Sequence, residues 1–215
     1  MTLDISGLEH AIVRHCSPTL AGMKPGCLFN VPGAFAANAG EEPARLAAWS
    51  EVRRRCETLE ALVSQAETSL APSGVHVRVL AWRECGALVY VYRPGLLGTG
   101  LRDGRVAARL AEWGYRTQGT GWLELALSRL GKRLGSCHKG EFPHEVGFFL
   151  GYPYEDVIGF IEHEGRDFIC CGCWKVYGNQ ERAEACFERY KRCTRAFEAL
   201  LERGVAVAEL AAKAA

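Results

Sequence analysis

Four groups of side chains in this sequence carry chemistry that plain packing does not call for. The run His15-Cys16-Ser17-Pro18-Thr19 places an imidazole, a thiol and two hydroxyls side by side. A cysteine beside a histidine can be held as the thiolate, its nucleophilic form. Neighbouring helical residues point about 100° apart, however. The competing assignment therefore buries Cys16 and leaves Ser17 or Thr19 to cap the next segment. Phe142-Pro143-His144-Glu145 pairs a ring that titrates near neutral pH with a carboxylate able to orient a partner or take a proton. Here the competing assignment is a helix start, with Glu145 complementing the dipole and His144 satisfying a neighbouring backbone group.

The third group is cationic. Lys24 precedes one apolar strand, Arg93 ends another, and Lys175 interrupts Cys173-Trp174-Lys175-Val176-Tyr177. A lysine in so apolar a strand needs solvent, a buried carboxylate or a bound anion. Strand alternation puts Lys175 on one face with Cys173 and Tyr177. If Lys24, Arg93 and Lys175 converge, they form a site for a phosphate or carboxylate. The fourth group is Cys170-Cys171-Gly172-Cys173, with Cys137-His138 and His144 upstream. These are ligand types for zinc or an iron–sulfur cluster, but the spacing is not that of a metal knuckle. In an extended strand Cys171 and Cys173 stand roughly 7 Å apart, too far for a relaxed disulfide. No metal is assigned, and no motif names a cofactor. A Walker A loop, a dinucleotide fingerprint and a nucleophile elbow are all missing.

Composition narrows the classes. The 215 residues are 48% hydrophobic and 24% charged, with a net charge of +1. That balance suits a globular core and argues against wrapping nucleic acid or hugging an anionic membrane. Arg53-Arg54-Arg55, the one basic run, lies in a helical pattern and reads as its solvated face. No secretory n-region or spanning apolar stretch is present, so the ten cysteines are expected to be reduced thiols of a cytoplasmic protein.

The elements that must position these groups follow from periodicity. Leu3 to Arg14 reads as a helix interrupted at Pro18, and Cys27 to Val31 as a short strand. Residues 34–40 read as a mobile loop. Trp49, Val52, Cys56, Leu59, Val63, Ala66 and Leu70 form one helical stripe. Val75–Leu80 and Ala87–Arg93 make a hairpin, with helices expected over Arg102–Trp113, Trp122–Leu134 and Tyr154–Glu162. Phe168 to Tyr177 reads as a last strand. Asn179 caps a long helix with a seam of Ala183, Cys186, Tyr190, Cys193, Phe197 and Leu200. The expected fold is one α+β domain over residues 1–215, with 202–215 a short helix or frayed tail. A mixed or antiparallel sheet of about four strands around the hairpin would be covered on one face by the two long helices plus several short ones.

Several of these stretches also carry a resemblance. His15-Cys16-Ser17-Pro18-Thr19-Leu20-Ala21-Gly22 with Lys24-Pro25, Tyr92-Arg93, Phe142-Pro143-His144-Glu145-Val146-Gly147, Gly151-Tyr152-Pro153, Asp156-Val157-Ile158-Gly159-Phe160 and Trp174-Lys175-Val176-Tyr177 together span residues 8–195. In these the chain resembles the bacterial domain of unknown function thirty-seven ninety-three. The resemblance implies a cytosolic protein of anaerobes, with a link to iron or redox metabolism and no established activity. Cys170, Cys171 and Cys173 stand outside the family pattern, which favours the polar set over a metal.

The leading expectation is a pocket for a small anionic ligand. His15, Cys16, His144 and Glu145 would supply its proton or thiol chemistry, and Lys24, Arg93, Lys175 and Tyr177 would hold the ligand. The alternatives are an adaptor that docks a redox protein such as a flavodoxin through Phe142–Phe160, and a Cys/His metal or thiol-redox protein.

Overall fold

The computed structural model describes residues 4–33, 35, 42–136 and 142–212, so most of the 34–40 stretch and Cys137-His138 lie outside the described residues. Helix α1 (Ile5–Leu20) starts at Asp4, whose carboxylate accepts from the Gly7 amide at 2.7 Å. The helix does not stop before Pro18 but runs through it. The reason is burial: Leu8, Ile12, Val13, Cys16 and Leu20 lie on one fully buried face. Burying several such chains outweighs the roughly 3 kcal/mol that an interior proline costs. Pro18 also loosens the preceding turn. There the Ser17 hydroxyl donates to the Val13 carbonyl (2.5 Å), and the Cys27 thiol reaches the His15 carbonyl (2.8 Å).

Strands β1 (Gly26–Pro32), β2 (His76–Arg83) and β3 (Gly86–Tyr92) form an antiparallel sheet in the order β1-β3-β2. Every residue of β3 is buried. Ala87, Val89 and Val91 face one core with Phe29, Val31 and α1, while Leu88, Tyr90 and Tyr92 face a second core. The sheet is thus covered on both faces, not on one as periodicity suggested. Helix α2 (Glu42–Leu70) lies on the first face, burying Val52, Leu59, Val63, Ala66 and Leu70 and leaving Trp49 exposed. The second face receives α3 (Pro94–Leu101), α4 (Gly104–Glu112), α5 (Trp122–Ser136), α6 (Val146–Phe149) and α7 (Tyr154–Glu162). Pro94 therefore both ends β3 and opens a helix, as proline at a first helical position does.

The chain then makes a separate two-stranded sheet from β4 (Cys170–Cys171) and β5 (Lys175–Val176). The single strand expected over Phe168–Tyr177 is instead a hairpin with Gly172-Cys173-Trp174 at its tip, and the main sheet has three strands. Gly172 makes this turn possible: a Cβ there would stand 2.3 Å from the Phe187 ring. Helix α8 (Gln180–Glu202), capped by Asn179, packs along α1 and not on the sheet. The tail does not fray before residue 212. Helix α9 (Val207–Ala212) buries Val207, Leu210 and Ala211 in the first core.

A bulge in β2 at Leu80 turns its carbonyl toward α5, where a Cβ on Gly131 would lie 2.3 Å from that oxygen. Alanine gains up to about 1 kcal/mol of helix propensity. A clash with backbone cannot be relieved by a rotamer change and costs about 3 kcal/mol. Gly131→Ala is therefore expected to destabilise by about 2 kcal/mol, read as a lower urea midpoint at unchanged slope. A midpoint at or above wild type would contradict the close approach of α5 to β2.

Candidate functional site

A buried carboxylate organises one end of the molecule. Asp156, 4% exposed in the first turn of α7, accepts from the Trp174 indole N–H at 2.7 Å and from the Tyr177 and Gly178 amides at 2.8 and 2.9 Å. A buried charge with three donors is satisfied, and it leaves the indole one permitted orientation. Trp174 stacks on Tyr152 at 4.9 Å, meets Phe187 edge-on at 4.5 Å and lies 6.5 Å from Tyr190. Tyr152 belongs to a turn pressed on the α1–β1 connection. Gly151 has φ +75°, and a Cβ there would be 2.3 Å from Pro25. That contact sets Lys24 Nζ over the Tyr152 ring at 5.4 Å and the Tyr190 ring at 5.8 Å.

Between these walls lies a hollow of about 550 Å³. Pro18, Lys24 and Cys27 come from the α1–β1 side, and Tyr152 and Cys173 from the two turns. The α8 wall supplies Tyr190, Lys191, Thr194 and Arg195. No carboxylate is among these lining residues. Lys191 pairs with Glu188 at 2.7 Å and Arg195 also acts on that carboxylate, whereas Lys24 forms no salt bridge among the described residues.

The thiols are differentiated by their surroundings. Cys27 sits on edge strand β1, and its sulfur takes a hydrogen bond from Cys16. That bond lowers the Cys27 pKa to about 7 against the opposing effect of burial, with Lys24 helping. Cys16, fully buried behind it, is pushed well up by burial. Burial also raises Cys173, Tyr152 and Tyr190.

Residues 12–211, which include every wall of this hollow, match the model of a family described as Protein of unknown function (DUF3793). The chain belongs to that family. No curated protein and no solved structure matches it.

In this DUF3793 protein the side chains singled out in the sequence are distributed over several places. Lys24 lies in the hollow and Cys16 directly behind it. His15 is exposed and stacked on Phe29 at 5.5 Å, contributing its carbonyl to Cys27; partial burial lowers its ring pKa. His144 and Lys175 line a neighbouring hollow of about 330 Å³, which shares Tyr152 and Cys173 with the first. There His144 lies 4.8 Å from the Phe160 ring, and burial lowers its pKa against the pull of Glu145. Lys175 donates to the Gly165 carbonyl at 2.6 Å and sits over Phe168 at 4.8 Å.

Three expected site residues are engaged elsewhere. Glu145 is buried, accepting from Tyr115 at 2.8 Å and Arg133 at 2.5 Å. Tyr177 packs on Gly159 and lies 5.5 Å from His163. Arg93 lines neither of these hollows, because its guanidinium donates to the carbonyls of Thr19, Ser73, Leu20 and Ala211. It ties the ends of α1 and α9 to the sheet. Among the described residues no three His, Cys, Asp or Glu side chains converge as metal ligands.

Sequence reasoning missed Cys27, Lys191, Arg195 and the role of Asp156, and it weighed Cys173 as a metal or thiol group and not as a wall of this hollow. The signal on α8 was available: Tyr190, Lys191, Thr194 and Arg195 fall on one helical face beside the apolar seam.

Asp156→Asn keeps the shape but turns an amide N–H₂ toward one of the donors. Leaving one buried donor unsatisfied is expected to cost about 1–3 kcal/mol. It should also red-shift tryptophan emission as Trp174 loosens, both read from a denaturant titration. Unchanged stability and emission would contradict the anchoring role.

Proposed function

We propose that this chain binds a small anionic molecule in the hollow bounded by Lys24, Tyr152, Tyr190 and Arg195. The observation that carries the reading is the charge imbalance. Three cations face a concave, aromatic-walled space that has no acid in its lining. A lone cation over tyrosine rings is partly desolvated, so an incoming carboxylate or phosphate gains more there than on open surface. The aromatic walls favour a planar anion. Ten cysteines in a chain that lacks the small, loop-rich body of a disulfide scaffold suit reduced thiols, and we propose a cytoplasmic location.

Nitrobenzoate is a suitable probe. Lys24 is half-buried, and Lys24→Met is expected to weaken binding about tenfold, the equivalent of 1.4 kcal/mol. Arg195 is exposed and screened, so Arg195→Met should cost only about two- to fivefold. Calorimetry should also show affinity falling with added salt. Salt-independent binding that survives both substitutions would reject the reading.

A second reading, docking of a redox protein such as a flavodoxin, is favoured by a different observation. Phe142 is exposed on the neighbouring hollow, and Phe168 and Ile169 are exposed on the segment leading into the hairpin, Ile169 by 53%. Under that reading Phe168→Asp abolishes flavodoxin binding, measured by calorimetry, and leaves nitrobenzoate binding intact. Equal flavodoxin affinity of variant and wild type would exclude it.

A further inference from the structure

We propose that Cys27 is a nucleophilic thiol that forms a mixed disulfide with an acidic low-molecular-weight disulfide lodged in the cationic hollow. Cys16 acts as the positioning donor behind it. The inference rests on the anion-binding reading and extends it to a substrate class.

The geometry separates Cys27 from the other thiols. Cys27 is half-buried and lines the hollow together with Lys24. An edge strand leaves that side of Cys27 uncovered by any neighbouring strand. Cys16, from α1, is 0% exposed and adjoins it, each thiol shifting the other's pKa. A disulfide entering the hollow with its carboxylates toward Lys24 and Arg195 would present its S–S bond to the Cys27 sulfur.

The groups around Cys27 are Cys16 of α1, the His15 carbonyl, which accepts from the thiol at 2.8 Å until it ionises, Lys24 of the α1–β1 turn, and Tyr90 of β3 on the other side of the sheet. Tyr152 and Cys173 face it across the hollow, as do Tyr190, Lys191 and Arg195 of α8. The tyrosines and Cys173 have pKa values raised by burial and are neutral at pH 7. The charge acting on Cys27 is therefore positive, and a sulfur ionising at about 7 is about half thiolate at pH 7.

In the step itself, the Cys27 thiolate attacks one sulfur of RSSR. A Cys27–SR bond forms, the S–S bond breaks, and RS⁻ leaves to take a proton from water. Cys27 is oxidised and the departing sulfur is reduced. Burial raises the Cys16 pKa, so Cys16 stands behind Cys27 as a protonated donor during the attack.

The test compares dithionitrobenzoate, a dianionic aromatic disulfide, with neutral dithiodipyridine on the full chain. Rates are read at Cys27 and at exposed Cys85 by peptide mapping across pH. The rate at Cys27 is expected to follow a midpoint near 7. Cys16→Ala should move that midpoint upward, and Cys16→Ser, which keeps a hydroxyl donor, should restore it. The ratio of anionic to neutral reagent rates cancels the thiolate fraction. It is expected to be about tenfold higher at Cys27 than at Cys85, and to collapse in Lys24→Met/Arg195→Met. A Cys27 rate and midpoint matching those of Cys85 overturn the thiol inference. Nitrobenzoate, which has no S–S bond, then judges the anion-binding reading separately on the wild-type protein. Fast reaction at Cys27 with the same anionic-to-neutral rate ratio as at Cys85 overturns the acidic substrate class.

Discussion

The Asp156 carboxylate is the interaction on which the rest of this end of the molecule depends. A buried charge is tolerated only when donors surround it, and its three donors all come from the hairpin and the chain leaving it. Satisfying that one group folds Trp174 back over α7. The placed indole then decides where Tyr152 stacks and how Tyr190 and Phe187 are met. Both hollows share Tyr152 and Cys173, so both inherit their shape from this contact.

A rigid floor makes the arrangement possible. Burial on both sides of β3 fixes the strand, and the Tyr90 hydroxyl donates to the Phe149 carbonyl at 2.6 Å, linking the sheet to α6 just before the Tyr152 turn. Gly26 is required beside it, since a Cβ there would stand 2.2 Å from the same hydroxyl. Arg93 performs the matching task on the other face, gathering carbonyls from α1, the turn after α2, and α9. Lys24 and Cys27 therefore project from a segment clamped on two sides, and they face α8 with little freedom to move apart.

Much of the architecture was legible. Regular stripes gave α2, α5 and α8, and turn residues placed the central hairpin, because these signals are local. Three features were not legible, for stated physical reasons. Pro18 reads as a stop, yet tertiary burial carries α1 past it. Phe168–Tyr177 reads as one strand, yet Asp156, distant in sequence, folds it into a hairpin. A sheet covered on both faces reads like one covered on a single face unless the central strand is recognised as apolar throughout. Of the polar groups that stood out in apolar settings, Lys24 lies in the first hollow, Cys16 adjoins Cys27 there, and His144 and Lys175 line the neighbouring one. Arg93 stood out for the same reason but serves backbone carbonyls, a use that residue type alone cannot distinguish from ligand binding. Cys27 was passed over as an ordinary small residue of a strand. Its character comes from Cys16 and Lys24, whose placement beside it depends on the fold.

The central claim is that Lys24, Cys27, Tyr152, Tyr190 and Arg195 form a single anion-accepting space. The most direct measurement is a residue-resolved NMR titration with inorganic phosphate. The account predicts that resonances of these five residues shift together along one saturable curve, while Arg93 and Glu145 stay still. Shifts that begin at Lys175 and His144, or that scatter over unrelated surface cations without saturating, would contradict it.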